Sequence, residues 1–531
     1  MTRLSRRGLL TGAAGLGGAL AVGGLAGCST GSAGSPPVGR ASVGPGGAAV
    51  AEAEAARHHT GRVVAARLTP APARIDLGGR VVSTWAYDGR LPGPVVRARA
   101  GDTLRVRVDN RLPDETSVHW HGIALRNDMD GVPGVTQDPI PAGGSFTYDF
   151  TAPDPGTYFF HPHTGLQLDR GLSGMLVVDD PAEPGDYDAE WLVHLDDWVD
   201  GTGRTPDDVL AALRSRGGGS GSGGMGGMPG MGGRHHGGMG MGMGTGTGTG
   251  GMRGMSGMGM SEFSSPVLGG AGDVRYPLHL VNGRPPSDPD TFRARPGTRV
   301  RIRMVNAGSD TAFRVALGGH RMTVTHTDGF PVAPVETDAL MVGMGERYDV
   351  VVTLADGVFP FVASAEGKPG RGFALVRTGG GTAPRADVVP TELGGRLVLG
   401  TDLSPAPGVT LRKRSVDRTH RLLLAGSMAP YRWTINGRTD PDVPPLPVVQ
   451  GERVRLQLAN HSMMFHPMHL HGHTFALAGS GLRKDTVIVR PMQAVEVDLD
   501  ADNPGQWMVH CHNAYHMAAG MMTTLSYRAD A

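Results

Sequence analysis

The sequence predicts an all-β protein built from three related β-sandwich domains in tandem. Three observations predict this fold class: one strand pattern occurs three times, a turn with an aromatic-rich strand follows each copy, and helical periodicity is scarce. The chain has 531 residues, of which 39% are hydrophobic, so it is long enough for three or four domains with proper cores.

The repeated strand runs from a glycine to an asparagine nine residues later. Its three copies are residues 101–110, 297–306 and 451–460. Between these ends apolar and polar residues alternate, which is the two-residue period of a strand with one buried face. The turns that follow begin at Pro155, Gly357 and Pro504. We therefore expect β-domains at residues 57–180, 185–380 and 390–531.

Residues 1–28 have the pattern of an export signal. They contain the pair Arg6 and Arg7, a short apolar run through Leu25, and small residues before Cys28. This pattern is typical of a signal peptide, and it is too short and too rich in glycine to span a membrane stably. The arginines resemble a twin-arginine signal. The residues before Cys28 resemble a bacterial lipoprotein box, with plain cleavage nearby as the alternative.

An exported protein is therefore expected, either a cell-envelope lipoprotein or a periplasmic or extracellular protein. Residues 29–56, rich in Gly, Ala, Ser and Pro, predict a flexible tether. No other stretch approaches transmembrane length, so a lipid anchor is the one membrane contact expected. Fifty basic and fifty acidic residues give zero net charge, which argues against a nucleic-acid partner. Two cysteines cannot form a disulfide framework.

Histidine pairs occupy matching positions in the first and third repeats. The chain has five His-x-His patterns, where chance gives roughly one. Two pairs lie nine and eleven residues beyond the repeat asparagine, and two lie five and seven residues beyond the turn glycine. These four pairs are His119 with His121, His469 with His471, His161 with His163, and His510 with His512. The middle repeat has Val315, Leu317, Val362 and Ser364 at those places.

Each of these pairs can present two imidazoles to one metal site. Residues two apart on a strand project to the same face. Eight imidazoles from two equivalent domains would therefore meet at a pseudo-symmetric interface, with room for several metal ions. Imidazole suits copper, zinc, iron and nickel alike, so these pairs do not identify the metal.

Cys511 identifies the metal. It stands between His510 and His512, so on a strand its thiolate points away from both imidazoles and must bind a different ion. His516 and Met521 lie five and ten residues after Cys511, and His466 lies three residues before His469. Two imidazoles, one thiolate and a distant thioether are the ligands of a blue-copper site. The alternative for each residue alone is a hydrogen-bonded core histidine or an inert buried thiol.

These motifs resemble the four signature motifs of the multicopper oxidases over residues 60 to 525. The resemblance implies three tandem cupredoxin-like Greek-key β-sandwich domains, about four coppers per chain, and dioxygen as the electron acceptor. It implies His466, Cys511, His516 and Met521 as type 1 ligands, and His119 and His469 as type 2 ligands. It implies His121, His161, His163, His471, His510 and His512 as type 3 ligands. In the family, the type 1 copper takes electrons singly and the trinuclear cluster reduces dioxygen to water.

Proton supply is a point of departure from the family. Asp130 matches an acidic residue that lies near the type 2 copper in relatives, so we expect it to be the main proton-relay carboxylate. Many bacterial relatives also have a glutamate directly after the last type 1 histidine, whereas this chain has Met517 there.

Residues 217–260 contain 23 Gly and 10 Met in 44 positions, with His235 and His236 among them. Thioethers select Cu(I), so this segment is interpreted as a copper-gathering arm, with a low-complexity linker as the alternative. Similar cuprous oxidases carry methionine-rich insertions in the last domain, so its position here differs.

The substrate expectation is Cu(I), with phenols as secondary or alternative reductants. Met464 matches a methionine that binds substrate Cu(I) in relatives, but the carboxylate expected two residues earlier is Ser462 here. Met463, Met468 and Met517 are alternatives to Met464. A laccase-like phenol oxidase and a copper-sequestering protein without turnover are the competing functions. A two-centre nitrite reductase is disfavoured, because it lacks all four histidine pairs.

Overall fold

The computed structural model describes residues 41–183, 185–215 and 262–529. The predicted signal peptide at 1–28, the first part of the predicted tether and the methionine-rich segment at 217–260 lie outside the described residues. Within the described residues, no helix combines the length and hydrophobicity that crossing a bilayer requires.

Residues 41–56 were expected to be part of a flexible tether, but the structure shows them packed against the rest of the chain, with Ser42 and Val43 beside the C-terminal strand. Helix α1 spans Ala48–Ala55. The Val43 amide donates to the Tyr527 carbonyl at 2.9 Å, and Gln506 Nε2 donates to the Val43 carbonyl at 2.8 Å. Composition could not show this, because the partners of the segment lie far away in sequence: Val50 is buried, and the Glu54 carboxylate accepts the Thr151 N–H at 2.9 Å.

Strands form most of the regular structure. The first repeat contains β1 Val63–Leu68, β2 Pro70–Leu77, β3 Arg80–Tyr87, β4 Val96–Arg99, β5 Thr103–Asp109, β6 His119–His121, β7 Ser145–Thr151, β8 Gly156–His161 and β9 Gly174–Asp179. The middle repeat contains β10 Ala189–Trp198, helix α2 Pro206–Ser215, β11 Ser264–Ser265, β12 Gly269–Gly270, β13 Leu278–Val281, β14 Asp290–Arg293, β15 Arg299–Asn306, β16 Phe313–Leu317, β17 Met322–Thr327, β18 Phe330–Thr337, β19 Ala339–Val342, β20 Arg347–Thr353, β21 Val358–Ala365 and β22 Arg371–Arg377.

The short strand β23 Leu397–Val398 joins a sheet of the middle repeat. The third repeat contains β24 Arg418–Met428, β25 Tyr431–Ile435, β26 Leu446–Val449, β27 Arg453–Asn460, β28 His466–Leu470, β29 Phe475–Leu477, β30 Arg483–Lys484, β31 Thr486–Val489, β32 Ala494–Asp500, β33 Gln506–Cys511, helix α3 Ala514–Ala518 and β34 Met522–Arg528. Single 3-10 turns span Asn127–Met129, Leu168–Arg170, Thr391–Gly394 and Gly400–Asp402.

The three repeats share one sheet topology. The predicted Gly-to-Asn strand is β5, β15 or β27, and each pairs in parallel with the first strand of its repeat and antiparallel with a later one. The strands that follow lie in a second sheet of each repeat, with orders β4-β9-β8-β6, β14-β22-β21-β16-β19-β23 and β26-β34-β33-β28-β31. The predicted all-β fold of three related sandwiches is confirmed. The domain limits stay predictions, because the described residues pack as one compact unit.

The asparagine that ends each repeated strand ties the two sheets together. Its side-chain oxygen accepts the backbone N–H two residues later, and its amide donates to a backbone carbonyl of the second sheet region. The turn glycines Gly156, Gly357 and Gly505 share φ values of 155°, 145° and 146°, which side chains rarely adopt. Both sequence patterns therefore have a structural cause, and they set where the histidine strands lie.

Candidate metal centres

The eight paired histidines gather at the junction of the first and third repeats. On β6 and β8, His119 lies opposite His161, and on β28 and β33, His469 lies opposite His510. The two halves meet ring to ring: His119 stacks on His471 with centroids 3.7 Å apart, and His121 stacks on His469 at 3.8 Å. Seven of the eight are buried and His163 is half-buried.

The implied ligand sets each lie close together. His121, His161 and His512 have ring centroids separated by 4.8, 5.3 and 5.9 Å. For His163, His471 and His510 the separations are 4.9, 4.9 and 5.1 Å. His119 and His469, the implied type 2 pair, are 5.9 Å apart.

Hydrogen bonds on the outer side of the cluster fix the tautomers of five imidazoles. Each of the five places Nδ1 within 2.9 to 3.0 Å of a carbonyl or carboxylate oxygen, which can only accept. Their acceptors are the carbonyls of Asp130, Pro162, Asp485 and Cys511 and the carboxylate of Asp130, for His119, His161, His469, His510 and His471 respectively. The Nε2 lone pairs therefore face the cluster, as in metal-ligating histidines.

The inward-facing nitrogens are suited to bind metal ions, because several of them have no hydrogen-bond partner within the described residues. Nε2 of His119, His161 and His469 is buried and has no hydrogen-bond partner there. His471 and His510 place their Nε2 atoms 3.1 Å apart, although both hold lone pairs. A buried unpaired polar atom costs about 1–3 kcal/mol, so a set of them requires a cation that accepts their lone pairs.

Burial also keeps the imidazoles neutral. Desolvation lowers the pKa of His121, His161, His163, His469, His471, His510 and His512, and the neighbouring imidazoles lower it further. A metal ligand must be deprotonated at the ligating nitrogen. These rings are therefore ready to bind a cation at neutral pH.

A second group forms at the end of β33. Cys511 Sγ lies 3.6 Å from His466 Nδ1 and 3.5 Å from His516 Nδ1, and the two nitrogens are 3.1 Å apart. Both rings use Nε2 on the outside, His466 with Ser462 Oγ at 2.9 Å and His516 with Asp273 Oδ2 at 3.1 Å. Their Nδ1 lone pairs therefore converge on the sulfur.

Met521 belongs to the same region. It is fully buried, its carbonyl accepts the Cys511 N–H at 3.1 Å, and its N–H donates to the His516 carbonyl at 3.0 Å. Burial raises the pKa of the Cys511 thiol well above its usual range. A bound soft metal reverses this preference, because it takes the sulfur as a thiolate.

Both groups meet at consecutive residues of the chain. The ring of Cys511's neighbour His510 faces His163 and His471 in the cluster, and that of His512 lies 4.8 Å from His121. The sulfur of Cys511 points to the other group. We call the group of His466, Cys511 and His516 the three-ligand site. One stretch of backbone thus links this site to the histidine cluster by covalent bonds.

Comparisons with known proteins agree with this arrangement. Models of the family described as multicopper oxidase match residues 71–183, 267–381 and 414–531. The chain is 50% identical over 488 residues to multicopper oxidase MmcO of Mycobacterium tuberculosis, covering 90% of each chain. The chain belongs to the multicopper oxidase family. Like other members, it is an oxidoreductase, and the family implies copper at the histidine and cysteine sites.

Two more distant relatives of the oxidase are similar over most of its length. It is 28% identical to a copper resistance protein A homolog of Pseudomonas syringae pv. tomato, covering 86% of this chain and 90% of that one. It also superimposes on the crystal structure of a multi-copper oxidase from Pseudomonas thermotolerans with a TM-score of 0.63 and 27% identity. That match covers 88% of this chain and 99% of the other. The cupredoxin-like architecture expected from the sequence is shared with these neighbours.

Asp130 lies against the cluster. Its carboxylate is fully buried, with Oδ2 2.9 Å from His471 Nδ1 and Oδ1 3.1 Å from His119 Nδ1. It therefore contacts one implied type 2 ligand and one implied type 3 ligand.

Met464 lies near the three-ligand site. It is 3% exposed, and its sulfur accepts the Gly272 N–H at 3.4 Å. Met463 is 43% exposed, whereas Met468 is buried in the core. Met517 lies at the wall of a surface cleft.

Sequence reasoning missed several residues around the oxidase's metal sites. Asn513 caps α3, accepting the Tyr515 and His516 N–H groups at 3.0 and 3.1 Å. An Asn before a short helix is a recognisable capping signal. Asp273 and Asp485, which contact His516 and His469, come from other segments and had no local signal.

Proposed function

We propose that this oxidase converts Cu(I) to Cu(II) outside the cytoplasm, with dioxygen reduced to water, and so lowers copper toxicity. Its copper ligands would be the type 1, type 2 and type 3 residues implied by the sequence, with about four ions per chain. Copper bound there would supply one-electron transfer at the three-ligand site and four-electron reduction of dioxygen at the cluster.

The choice of Cu(I) as substrate rests on the environment of His516. The ring is fully buried, and its outer nitrogen is hydrogen-bonded to Asp273. An organic reductant needs an open imidazole edge for direct contact, which His516 does not offer. A carboxylate beside the site favours a cationic reductant instead.

A thioether accompanies this carboxylate. Met464 Sδ contacts the amide of Gly272, the residue before Asp273, and Asp273 Oδ1 has no hydrogen-bond partner within the described residues. The soft sulfur suits Cu(I) and the carboxylate stabilises Cu(II) as it forms. Asp273 therefore supplies, from the middle repeat, the carboxylate that Ser462 does not provide.

Electrons have a short path inward from Asp273. Its Oδ2 accepts the Nε2 proton of His516 at 3.1 Å, and His516 Nδ1 lies 3.5 Å from Cys511 Sγ. Cys511 is covalently joined to two residues of the cluster. Similarity to the Pseudomonas syringae copper resistance protein A homolog supports the same role.

A laccase-like phenol oxidase is the second candidate function. A surface cleft of about 420 Å³, lined by Tyr431, Arg432 and Met517, could accept an aromatic reductant. The Tyr431 hydroxyl donates to Asp273 Oδ2 at 2.8 Å. A phenol in this cleft would be separated from His516 by Tyr431 and Asp273, so we expect it to react more slowly than Cu(I).

Copper collection and location belong to the same proposal. Residues 217–260 would bind additional copper through their methionines and histidines. Just before that segment, Arg214 Nη2 donates to the Ala518 carbonyl at 2.9 Å, on the helix that carries His516. Export by the twin-arginine route, with Cys28 as a possible lipid attachment point, would place the enzyme in the cell envelope or outside it.

Substrate competition between variants tests the proposal. Asp273→Asn should lower kcat/KM for Cu(I) by roughly tenfold or more while changing that for a dimethoxyphenol less than threefold. The exposed Asp442→Asn is the matched control and should behave as the wild type in both assays.

Four results would contradict parts of the proposal. Equal losses for both substrates would remove Asp273 as a Cu(I) contact. A wild-type preference for the phenol would favour the laccase-like function. Copper binding without oxygen uptake would favour a sequestering protein. Deleting residues 217–260 should weaken Cu(I) oxidation at low copper only, and an unchanged rate there would exclude the arm from copper delivery.

A further inference from the structure

Five ionisable side chains form a fully buried ion cluster beside the copper-binding histidines. Its members are Asp328, Glu346, Arg347, Lys484 and Asp485, all at most 2% exposed. Three come from the middle repeat, which has Val315, Leu317, Val362 and Ser364 where its neighbours have paired histidines, and two come from the third repeat.

Arg347 is the centre of this ion cluster. Its two terminal nitrogens each donate to one carboxylate oxygen of Asp485 at 2.6 Å. Its Nε donates to the Thr157 carbonyl of the first repeat at 3.0 Å, and its own N–H donates to Asp328 at 2.9 Å. One guanidinium thus joins all three repeats with every arm occupied.

Asp485 carries this restraint to the copper site. Its carbonyl accepts the Nδ1 proton of His469 at 3.0 Å, and its Oδ1 lies 3.4 Å from His121 Nε2. Thr486 Oγ1 lies 3.1 Å from His469 and 3.2 Å from His121. These two imidazoles stack on one another and belong to different repeats.

The space around Arg347 admits little movement. A Cβ atom at Gly122, next to His121, would lie 2.4 Å from Arg347 Nη2, and one at Gly345 would lie 2.8 Å from the His512 ring. The loop before β20, which contains Gly345, therefore packs directly against His512 and His121. A displaced guanidinium would meet the backbone of Gly122, the neighbour of His121.

We propose that Arg347 is a positioning residue for the copper cluster: through Asp485 and Thr486 it fixes the ring orientations of His121 and His469. This inference rests on the proposed assignment of those two histidines as copper ligands. The bidentate fork explains why the residue is arginine, because a lysine offers one point of attachment and leaves the carboxylate free to rotate.

A buried ion pair is seldom retained for stability alone. The desolvation of both charges offsets much of their attraction, and apolar replacements are often as stable. Mutation of a residue that hydrogen-bonds to a metal-binding histidine, by contrast, typically lowers metal affinity by roughly 10–100-fold. The position of the Arg347–Asp485 pair beside the histidines therefore favours a role in metal binding over a role in stabilising the core.

Copper affinity of the cluster tests the inference without relying on turnover. Arg347→Lys and Asp485→Asn should each weaken copper binding at the cluster by roughly tenfold or more. The type 2 electron-spin signal should change in hyperfine splitting, while the blue absorbance of the type 1 site should keep its wild-type intensity. Both are measured on apo protein titrated with copper under a competing chelator.

Arg301→Lys is the matched control. Arg301 is also a buried arginine of the middle repeat, paired with Asp349 at 2.6 Å, but its other side-chain partners are Glu183 and His326, which lie outside the histidine cluster. It should lower the melting temperature and leave the copper affinity and the type 2 signal as in the wild type.

Several outcomes would overturn the inference. Wild-type affinity and an unchanged type 2 signal in both variants would show that Arg347 does not position the rings. Equal copper loss in Arg301→Lys would show general destabilisation. If Arg347→Lys does not fold, the near-isosteric Asp485→Asn decides alone. A wild-type protein without type 2 and type 3 copper would instead reject the ligand assignment itself.

Discussion

The middle repeat and its two neighbours use the same strands for different purposes. In the first and third repeats, β6 with β8 and β28 with β33 carry the paired imidazoles. In the middle repeat, the equivalent strands β16 and β21 place Val315 opposite Ala363. Val315, Leu317 and Val362 are fully buried. The same scaffold therefore carries paired histidines in two repeats, which meet in one cluster, and an apolar core in the third.

The middle repeat contributes to the metal sites from its loops and strand ends. Arg347 reaches the cluster, Asp273 reaches His516, and Asp310 accepts the Asn513 side-chain amide at 2.6 Å. The paired histidines thus come from the outer repeats, and the middle repeat adds charged groups such as Asp273 and Arg347 to those of Asp130 and Asp485. Loss of ligands from a repeat does not imply loss of its role at the site.

Cys511→Ser is expected to have the largest effect. The hydroxyl cannot replace the thiolate, so the blue absorbance and oxidation of every substrate should fall at least a thousandfold, while the cluster keeps its copper. Optical spectra and metal analysis measure both. Met522→Leu, on the neighbouring strand, is the control and should change neither. Retention of the blue colour in Cys511→Ser would contradict the division into two sites.

Asp130→Asn should follow in size. The carboxylate touches both His119 and His471, and an amide cannot relay protons, so oxygen turnover should drop by roughly a hundredfold at unchanged copper content. Stopped-flow reoxidation of the reduced enzyme measures the step. Asp128→Asn, an acid of the same loop paired with Arg126, is the control. A wild-type reoxidation rate would exclude Asp130 as the main relay.

Much of the architecture and the ligand positions could be predicted from the sequence. The alternation in β5, β15 and β27 and the equal spacing to the histidines are local properties, because period and spacing determine which face a side chain occupies. The structure brings the pair His119 and His121 into contact with the pair His469 and His471, as those offsets predict.

The supporting residues could not be predicted in this way. Arg347 and Asp485 are 138 positions apart, and Asp273 meets His516 across 243 positions. Such pairs depend on how the repeats pack, which no local pattern encodes. The contacts of residues 41–56 with β34 and β7 could not be predicted for the same reason.

Val315→His tests whether the middle repeat could regain a ligand. Its side chain is fully buried, so an imidazole there would have no hydrogen-bond partner, and the free energy of unfolding should fall by about 2–4 kcal/mol without any gain of copper. Urea unfolding and metal analysis measure these effects. Val315→Ala separates lost packing from the buried polar group. An additional bound copper would show that the three repeats differ only in ligand identity.

Asn513 offers the smallest and most local test of how the middle repeat supports the third. Its oxygen caps α3 and its amide donates to Asp310, so Asn513→Ala should lower the unfolding free energy by about 1 kcal/mol and shift the type 1 spectrum slightly. Asn513→Asp keeps the capping oxygen but faces Asp310 with a second carboxylate. If the contact between repeats positions His516, this variant should shift the spectrum more than Asn513→Ala although its cap is intact. The opposite order would assign the effect to the helix cap alone and leave Asp310 without influence on the site.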